Sequence, residues 1–170
     1  MASDKSGKKV YFSLGSNIDR EHHIANAVHS FLRDFDDVQL SNLYRCAAVG
    51  FAGDDFLNLA LTFKTEKSIS ELLSYADNLE HKAGRDRVAR GRFDSRTLDV
   101  DLLMVGNFIG QQAGYSWPSG DIDTVAHVLC PMADIAGDEV HPVSKRRFTS
   151  LWQDFDKCQM DLIQVPPVWD

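Results

Sequence analysis

Cysteine, long apolar runs and positive charge are all scarce in this chain. The cysteines are Cys46, Cys130 and Cys158, odd in number and far apart. That pattern fits neither a disulfide framework nor a zinc site, and it suits a reducing cytoplasm. No apolar run is long enough to cross a bilayer, and the chain opens without a secretory leader pattern. A cytoplasmic protein with no membrane partner is therefore expected. Against 25 carboxylates stand 18 lysines and arginines, for a formal net charge of −7. Nucleic-acid binding wants a basic face, so no nucleic-acid partner is expected either. What is present is an ordinary globular composition, 44% apolar and 25% charged, and 170 residues suffice for one domain with a proper core. Residues 1–8 read as a flexible start and residues 9–170 as a single domain.

Against this acidic background the arginines cluster. Residues 84–103, GRDRVARGRFDSRTLDVDLL, carry Arg85, Arg87, Arg90, Arg92 and Arg96 and no lysine. Arginine is preferred where planar, bidentate contact to phosphate matters. From Thr97 to Met104 the chain alternates around Leu98, Val100 and Leu102, the period of a strand. On a strand Asp99 and Asp101 point to the same face. Two carboxylates side by side repel. Mg²⁺, which takes one or two carboxylates plus substrate phosphates, removes the conflict. The stretch thus suggests a polyphosphate–metal site, with a solvated charged strand edge as the plainer alternative.

Around this stretch the chain divides readily. Val10 to Leu14 reads as a strand running into Gly15-Ser16-Asn17, with Asn17 or Asp19 as the N-cap of a helix over 20–35. Ile24, Ala27, Val28, Phe31 and Leu32 form the apolar face of that helix, and His22, His23 and His29 fall on or near its solvent side. Residues 39–44 and 56–63 read as strands. Asn58 interrupts the second of these, either as a structural hydrogen-bonder or as a ligand reader. A second helix starts within 65–68, sets Ile69, Leu72, Leu73, Ala76 and Leu79 on one face, and ends at Glu80 and His81. Residues 106–110 suggest a turn with a short strand, and 111–121, polar and carrying Gly114, Pro118 and Gly120, a mobile loop. Residues 122–136 are partly helical and carry His127. From Val140 a packing tail holds Trp152 and Phe155 and ends in an extended Val165-Pro166-Pro167. Glycines at 50, 53, 84 and 91 predict mobility over 45–55 and 86–95. The order β, α, β, β, α, β predicts an α+β, ferredoxin-like sandwich: a mostly antiparallel sheet with helices packed on one face.

Several segments together carry a family resemblance. They are the opening YFSLGSN at 11–17, the pair Phe56-x-Asn58, Glu80 ahead of Gly84-Arg85-x-Arg87, the run from Arg96 to Leu103, and HVLCPMADIAGDEVHP at 127–142. Over residues 9–152 the chain resembles the 6-hydroxymethyl-7,8-dihydropterin pyrophosphokinases of folate biosynthesis. The resemblance implies a ferredoxin-like fold and Mg²⁺-dependent transfer of pyrophosphate from ATP to a reduced pterin, giving AMP. It implies that Asp99 and Asp101 hold two Mg²⁺ ions and that Arg85 and Arg96 steady the transferring phosphoryl groups. Glu80 and Arg87, with Arg96, would form the ATP side. Asn58 and the backbone around Cys46 and Val49 would read the pterin edge. Phe56 would stack on the pterin, and Phe93 would take the place of a tryptophan on the mobile loop.

The chain departs from the family pattern after Pro118. Ser119 and Val125 stand where the family usually supplies cations to the ATP phosphates, and His127 stands where a phenylalanine stacks on the pterin. The resemblance therefore implies weaker ATP binding, with His127 as the pterin-stacking ring. ATP and a reduced pterin are the expected partners, and the expected state is a monomer or weak homo-oligomer. Two rival readings are a non-catalytic pterin- or nucleotide-binding relative and an RNA-binding ferredoxin-like domain. The second of these lacks stacking aromatics on a basic sheet.

Overall fold

The computed structural model describes residues 7–85, 95–157 and 161–170. Its axis is strand β1 (Lys8–Ser16). Val10, Phe12 and Leu14 point to one face and are fully buried; Tyr11, on the other face, is buried as well. A strand covered on both sides is central, and β1 is flanked by two antiparallel partners. β4 (Phe56–Thr65) pairs along its whole length, from Lys8↔Thr65 to Ser16↔Leu57. β5 (Asp99–Val105) pairs on the other side, with Ser13↔Asp101 and Gly15↔Asp99. Beyond β4 lie β2 (Gln39–Leu40) and β3 (Leu43–Cys46), and β8 (Ile163–Val165) closes the edge against β3. Every pairing is antiparallel.

Helices α1 (Arg20–Asp34) and α2 (Ile69–Lys82) pack on one face, as the ferredoxin-like expectation requires. α2 starts in a capping box: Ser68 Oγ accepts from the Glu71 N–H, and the Glu71 carboxylate accepts from the Ser68 N–H at 2.8 Å. Such a cap contributes about 1 kcal/mol and fixes where the helix begins.

The opposite face, which that expectation leaves bare, is covered too. Tyr11, Ala60 and Leu103 bury against Ile122 of α3 (Asp121–Thr124), Leu129 and Met132 of α4 (Ala126–Ala136), and Phe148 of α5 (Phe148–Asp154). The reason is legible in the strands: β1, β4 and β5 are apolar at successive positions rather than at alternate ones, so both faces need cover.

Other expectations need correction. The strand expected at 39–44 is broken at Ser41, whose hydroxyl accepts from the Ala60 N–H at 2.9 Å in place of a regular ladder bond. Leu32 is 46% exposed, because the sheet contact is filled by Ile24, Ala27, Val28 and Phe31. Residues 111–121 are no loose loop. They fold into a hairpin of β6 (Gly110–Gln112) and β7 (Tyr115–Trp117), with buried Trp117 donating from Nε1 to the Gln112 carbonyl at 3.1 Å. The connecting Ala113-Gly114 has φ 54° and 83°, the paired positive values of a tight hairpin turn, and alanine in the first place hides that turn in the sequence. Among the described residues no helix is long and apolar enough to cross a membrane.

Candidate active site

A cavity of about 380 Å³ opens where the ends of β1, β3, β4 and β5 meet the start of α4. One wall is formed by Cys46, Val49, Phe56 and Asn58, a second by Arg96, Asp99 and Asp101, and a third by Asp121, Val125 and His127. These three walls come from stretches far apart in sequence, and the strand register brings them together. Gly15 sits between them, paired with Asn58 on one side and Asp99 on the other. A side chain there would crowd Asn58: a Cβ would lie 3.0 Å from Asn58 Oδ1, tighter than ordinary contact, and 4.0 Å from Asp99 Cβ.

On the first wall, Asn58 is 4% exposed and donates from Nδ2 to the Cys46 sulfur at 3.1 Å. Sulfur is a weak acceptor, so this amide is held in place without being strongly committed. Of the two alternatives open for Asn58, the structure shows an internal partner and a position on the cavity at once. Burial raises the Cys46 thiol to about 11, so it stays protonated.

The second wall is electrostatic. Arg85 Nη1 donates to Asp99 Oδ1 at 2.6 Å, and Arg96 Nη1 donates to Asp99 Oδ2. Arg85 also pairs with Glu80. Glu80 does not line the cavity. It is 2% exposed behind it, accepting the Val100 N–H at 2.8 Å. A carboxylate near a helix C-terminus is unfavourable by itself; here it ties the end of α2 to β5 and orients Arg85. Asp101 lies one pleat along from Asp99, on the same face. Its side chain keeps contact with solvent but looks into a concave, acidic recess. Removal from bulk water, then the Asp99 and Glu80 charges, hold its carboxyl well above the usual range. Among the described residues no three or more histidine, cysteine or acidic groups come together as a metal site. Asp99 and Asp101 would give a cation two carboxylates only. That set fits Mg²⁺, which completes its shell with water and phosphate.

The third wall carries the departures from the family pattern. Val125 borders the cavity at the N-cap of α4, and Ser119 is used locally, donating its N–H to the Leu103 carbonyl at 2.8 Å and accepting from the Asp121 N–H. Arg146 pairs with Asp154 and Arg147 with Asp138, and neither borders the cavity. Arg87, Arg90, Arg92, Phe93 and Cys158 lie outside the described residues.

The role of Asn17 escaped the sequence reading, which left the cap of α1 open between Asn17 and Asp19. Asp19 occupies the N-cap of α1 with φ 45° and makes no side-chain cap bond. Asn17 does not cap the helix. It is 2% exposed and works as a clasp: Nδ2 donates to the Asp54 carbonyl at 3.1 Å and to Ser95 Oγ at 3.2 Å, and Oδ1 accepts from the Arg96 N–H at 2.6 Å. Its own N–H donates to the Arg96 carbonyl at 3.0 Å. This clasp fixes the backbone from which Arg96 reaches Asp99. The only sequence signal was a polar residue in a tight turn after a strand, which reads equally well as a cap.

Comparison with known proteins finds matches over most of the chain. A family model described as 7,8-dihydro-6-hydroxymethylpterin-pyrophosphokinase (HPPK) matches residues 11–137. A protein of Haemophilus influenzae named 2-amino-4-hydroxy-6-hydroxymethyldihydropteridine pyrophosphokinase is 32% identical over 140 residues, covering 80% of this chain and 86% of the relative. A protein of the same name from Synechocystis is 34% identical over 128 residues, covering 75% of this chain and 62% of the relative. Among solved structures, Plasmodium falciparum HPPK-DHPS with pterin and p-hydroxybenzoate superposes with a TM-score of 0.66 at 12% identity, over 89% of this chain. A triple mutant of that protein with pteroate gives 0.67. The chain spans 44% of each of those two proteins, and at this identity the likeness speaks for the fold.

Proposed function

The chain belongs to the 7,8-dihydro-6-hydroxymethylpterin-pyrophosphokinase family, and on that premise we propose that it moves the terminal diphosphate of ATP onto 6-hydroxymethyl-7,8-dihydropterin, with Mg²⁺ required. The pterin hydroxyl oxygen bonds to the β-phosphorus of ATP, the bond from that phosphorus to the α,β-bridging oxygen breaks, AMP leaves, and the hydroxyl proton passes to solvent. Such transfer needs positioning and charge neutralisation more than covalent help from the protein.

The observation that carries this reading is the convergence of Arg85 and Arg96 on Asp99 beside a wall of Phe56, Val49 and Asn58. Without ligands the two guanidinium groups are parked on a carboxylate. With ATP bound they turn to phosphate oxygens, a bidentate match they make well. Two Mg²⁺ ions held by Asp99 and Asp101 would neutralise phosphate charge and polarise the attacking hydroxyl. Asn58 exchanges its weak sulfur partner for the pterin edge, and Phe56 supplies an aromatic face. Intact arginine and aspartate positions favour an enzyme over a non-catalytic relative.

The test is ATP-to-AMP turnover with the pterin and Mg²⁺, followed by product mass, in the natural protein and in Asp101→Asn. Turnover should be abolished in the variant while its urea midpoint stays equal or rises slightly. Because Asp101 keeps solvent contact, relief of repulsion is worth under about 1 kcal/mol. A fully active variant refutes the metal role.

A further inference from the structure

The loop between β3 and β4 holds one large ring among small residues. Residues 47–55 read AAVGFAGDD, and Phe51 is the aromatic among them. It belongs to none of the segments that carry the family resemblance, yet it borders the cavity beside Phe56 and Asn58. Phe51 is half-buried, and its ring stands at 89° to that of Phe56 with centroids 6.3 Å apart. That is the edge-to-face arrangement aromatic pairs prefer. Phe56 and Asn58 lie two apart on β4 and so share the face that meets the cavity. Phe56 is the first residue of its strand, and a perpendicular neighbour limits the freedom of its ring.

The close approach depends on Gly53. A Cβ there would lie 2.6 Å from Phe51 Cε2 and 3.0 Å from Ser95 Oγ. The chain just beyond Gly53 is anchored: the Asp54 carbonyl accepts from Asn17 Nδ2 at 3.1 Å, and the Asp55 carbonyl from Arg20 Nη1 at 2.5 Å. The loop end therefore cannot back away, and a side chain at position 53 would push the Phe51 ring off Phe56.

Resting on the pterin reading of this cavity, we propose that Phe51 is a positioning residue: its ring braces Phe56, and Gly53 is the spacer that allows the brace. A bicyclic heteroaromatic substrate then meets a ring whose orientation is already set, so less ordering is lost on binding. The brace includes neither the arginines nor the carboxylates, and nucleotide binding is independent of it.

The experiment is calorimetric titration of oxidised 6-hydroxymethylpterin into protein saturated with Mg²⁺ and a non-hydrolysable ATP analogue, beside titration of the analogue itself. The variants are Phe51→Leu, Phe51→Tyr, Gly53→Ala and the double variant Phe51→Leu with Gly53→Ala. Leucine keeps apolar bulk and loses the ring; tyrosine keeps the ring. Phe51→Leu and Gly53→Ala should each weaken pterin binding about five-fold, and Phe51→Tyr should stay within about two-fold of the natural protein. The double variant should be no weaker than Phe51→Leu alone, because both changes break one contact. All should bind the analogue as the natural protein does. Unchanged pterin binding in Phe51→Leu overturns the proposal, and so does equal weakening in Phe51→Tyr. Additive loss in the double variant also overturns it, tracing the effect of Gly53 to Ser95 instead. Loss of analogue binding in step with pterin binding overturns it as well, because the loop would then serve the fold as a whole. A natural protein that binds no pterin overturns the pterin reading and the proposal together.

Discussion

Asn17 is the residue through which a short turn controls the chemistry. Its side chain makes three bonds to two separate segments, one at Asp54 and two at the adjacent Ser95 and Arg96. All are made by a side chain that is 2% exposed, so truncation leaves donors and acceptors unpaired in the interior. Asn17→Ala should cost about 2–4 kcal/mol in urea unfolding. It should also lower turnover by about ten-fold or more, because Arg96 loses the anchor of its backbone. A variant that loses stability but keeps full turnover would mean that Arg96 is placed by its bond to Asp99 alone. Gly15 works in the same register by subtraction, leaving Asn58 and Asp99 room to face one cavity.

Among the elements, α4 sets the character of the cavity's third wall. Its N-terminal residues face the cavity, and Val125 at the N-cap contributes no charge where the resemblance places a cation. The helix N-terminus itself favours an anion, though weakly compared with a guanidinium. Val125→Arg should therefore tighten binding of a non-hydrolysable ATP analogue by about ten-fold in titration calorimetry. No gain, with natural affinity already high, would show that the triphosphate lies elsewhere than against α4. On the far side, α2 delivers Glu80 beneath β5, so the end of a helix and the start of a strand share one carboxylate and one arginine.

For the molecule as a whole, the second helical layer brings a dependence on acid. His141 is 4% exposed, its Nδ1 accepts from the Val143 and Ser144 N–H groups at 3.3 and 3.2 Å, and its ring meets Phe148 edge-on. Burial depresses its pKa, with Asp123 opposing in part. The unfolded chain then binds the proton more readily, so this stability is complete above the unfolded value of about 6.5 and is lost as pH falls through the folded value. His127 acts in the same direction, and Asp101, raised, acts in the opposite one. Urea midpoints at pH 7.5 and pH 5 should therefore differ less in His141→Asn, which keeps an acceptor but cannot titrate, than in the natural protein. Identical pH dependence would show that folding leaves the proton affinity of His141 unchanged. The C-terminal segment belongs to this scale too. β8 pairs with β3, and Val165, Val168 and Trp169 pack on the first core, with His29 bonded to the Trp169 carbonyl at 2.9 Å.

The sequence by itself determined the periodic elements and the pairing of chemistries. The face of α2, the start of β4 and the same-face placement of Asp99 and Asp101 all follow from spacing, because side-chain direction along a helix or strand is local geometry. The convergence of arginines on carboxylates was legible as composition in one short stretch. Tertiary structure decided what depends on contacts between distant segments. Only the register of β1 with β4 and β5 brings Asn58 and Asp99 to either side of Gly15. Only burial distinguishes Glu80, hidden behind β5, from the open end of a helix, and Asn17, a clasp, from a cap. The hairpin at 110–117 and the packing of helices on the second face were hidden for the same reason. Their stability comes from Trp117, Leu129 and Phe148 finding partners across the fold, and no local pattern records a partner that is remote in sequence.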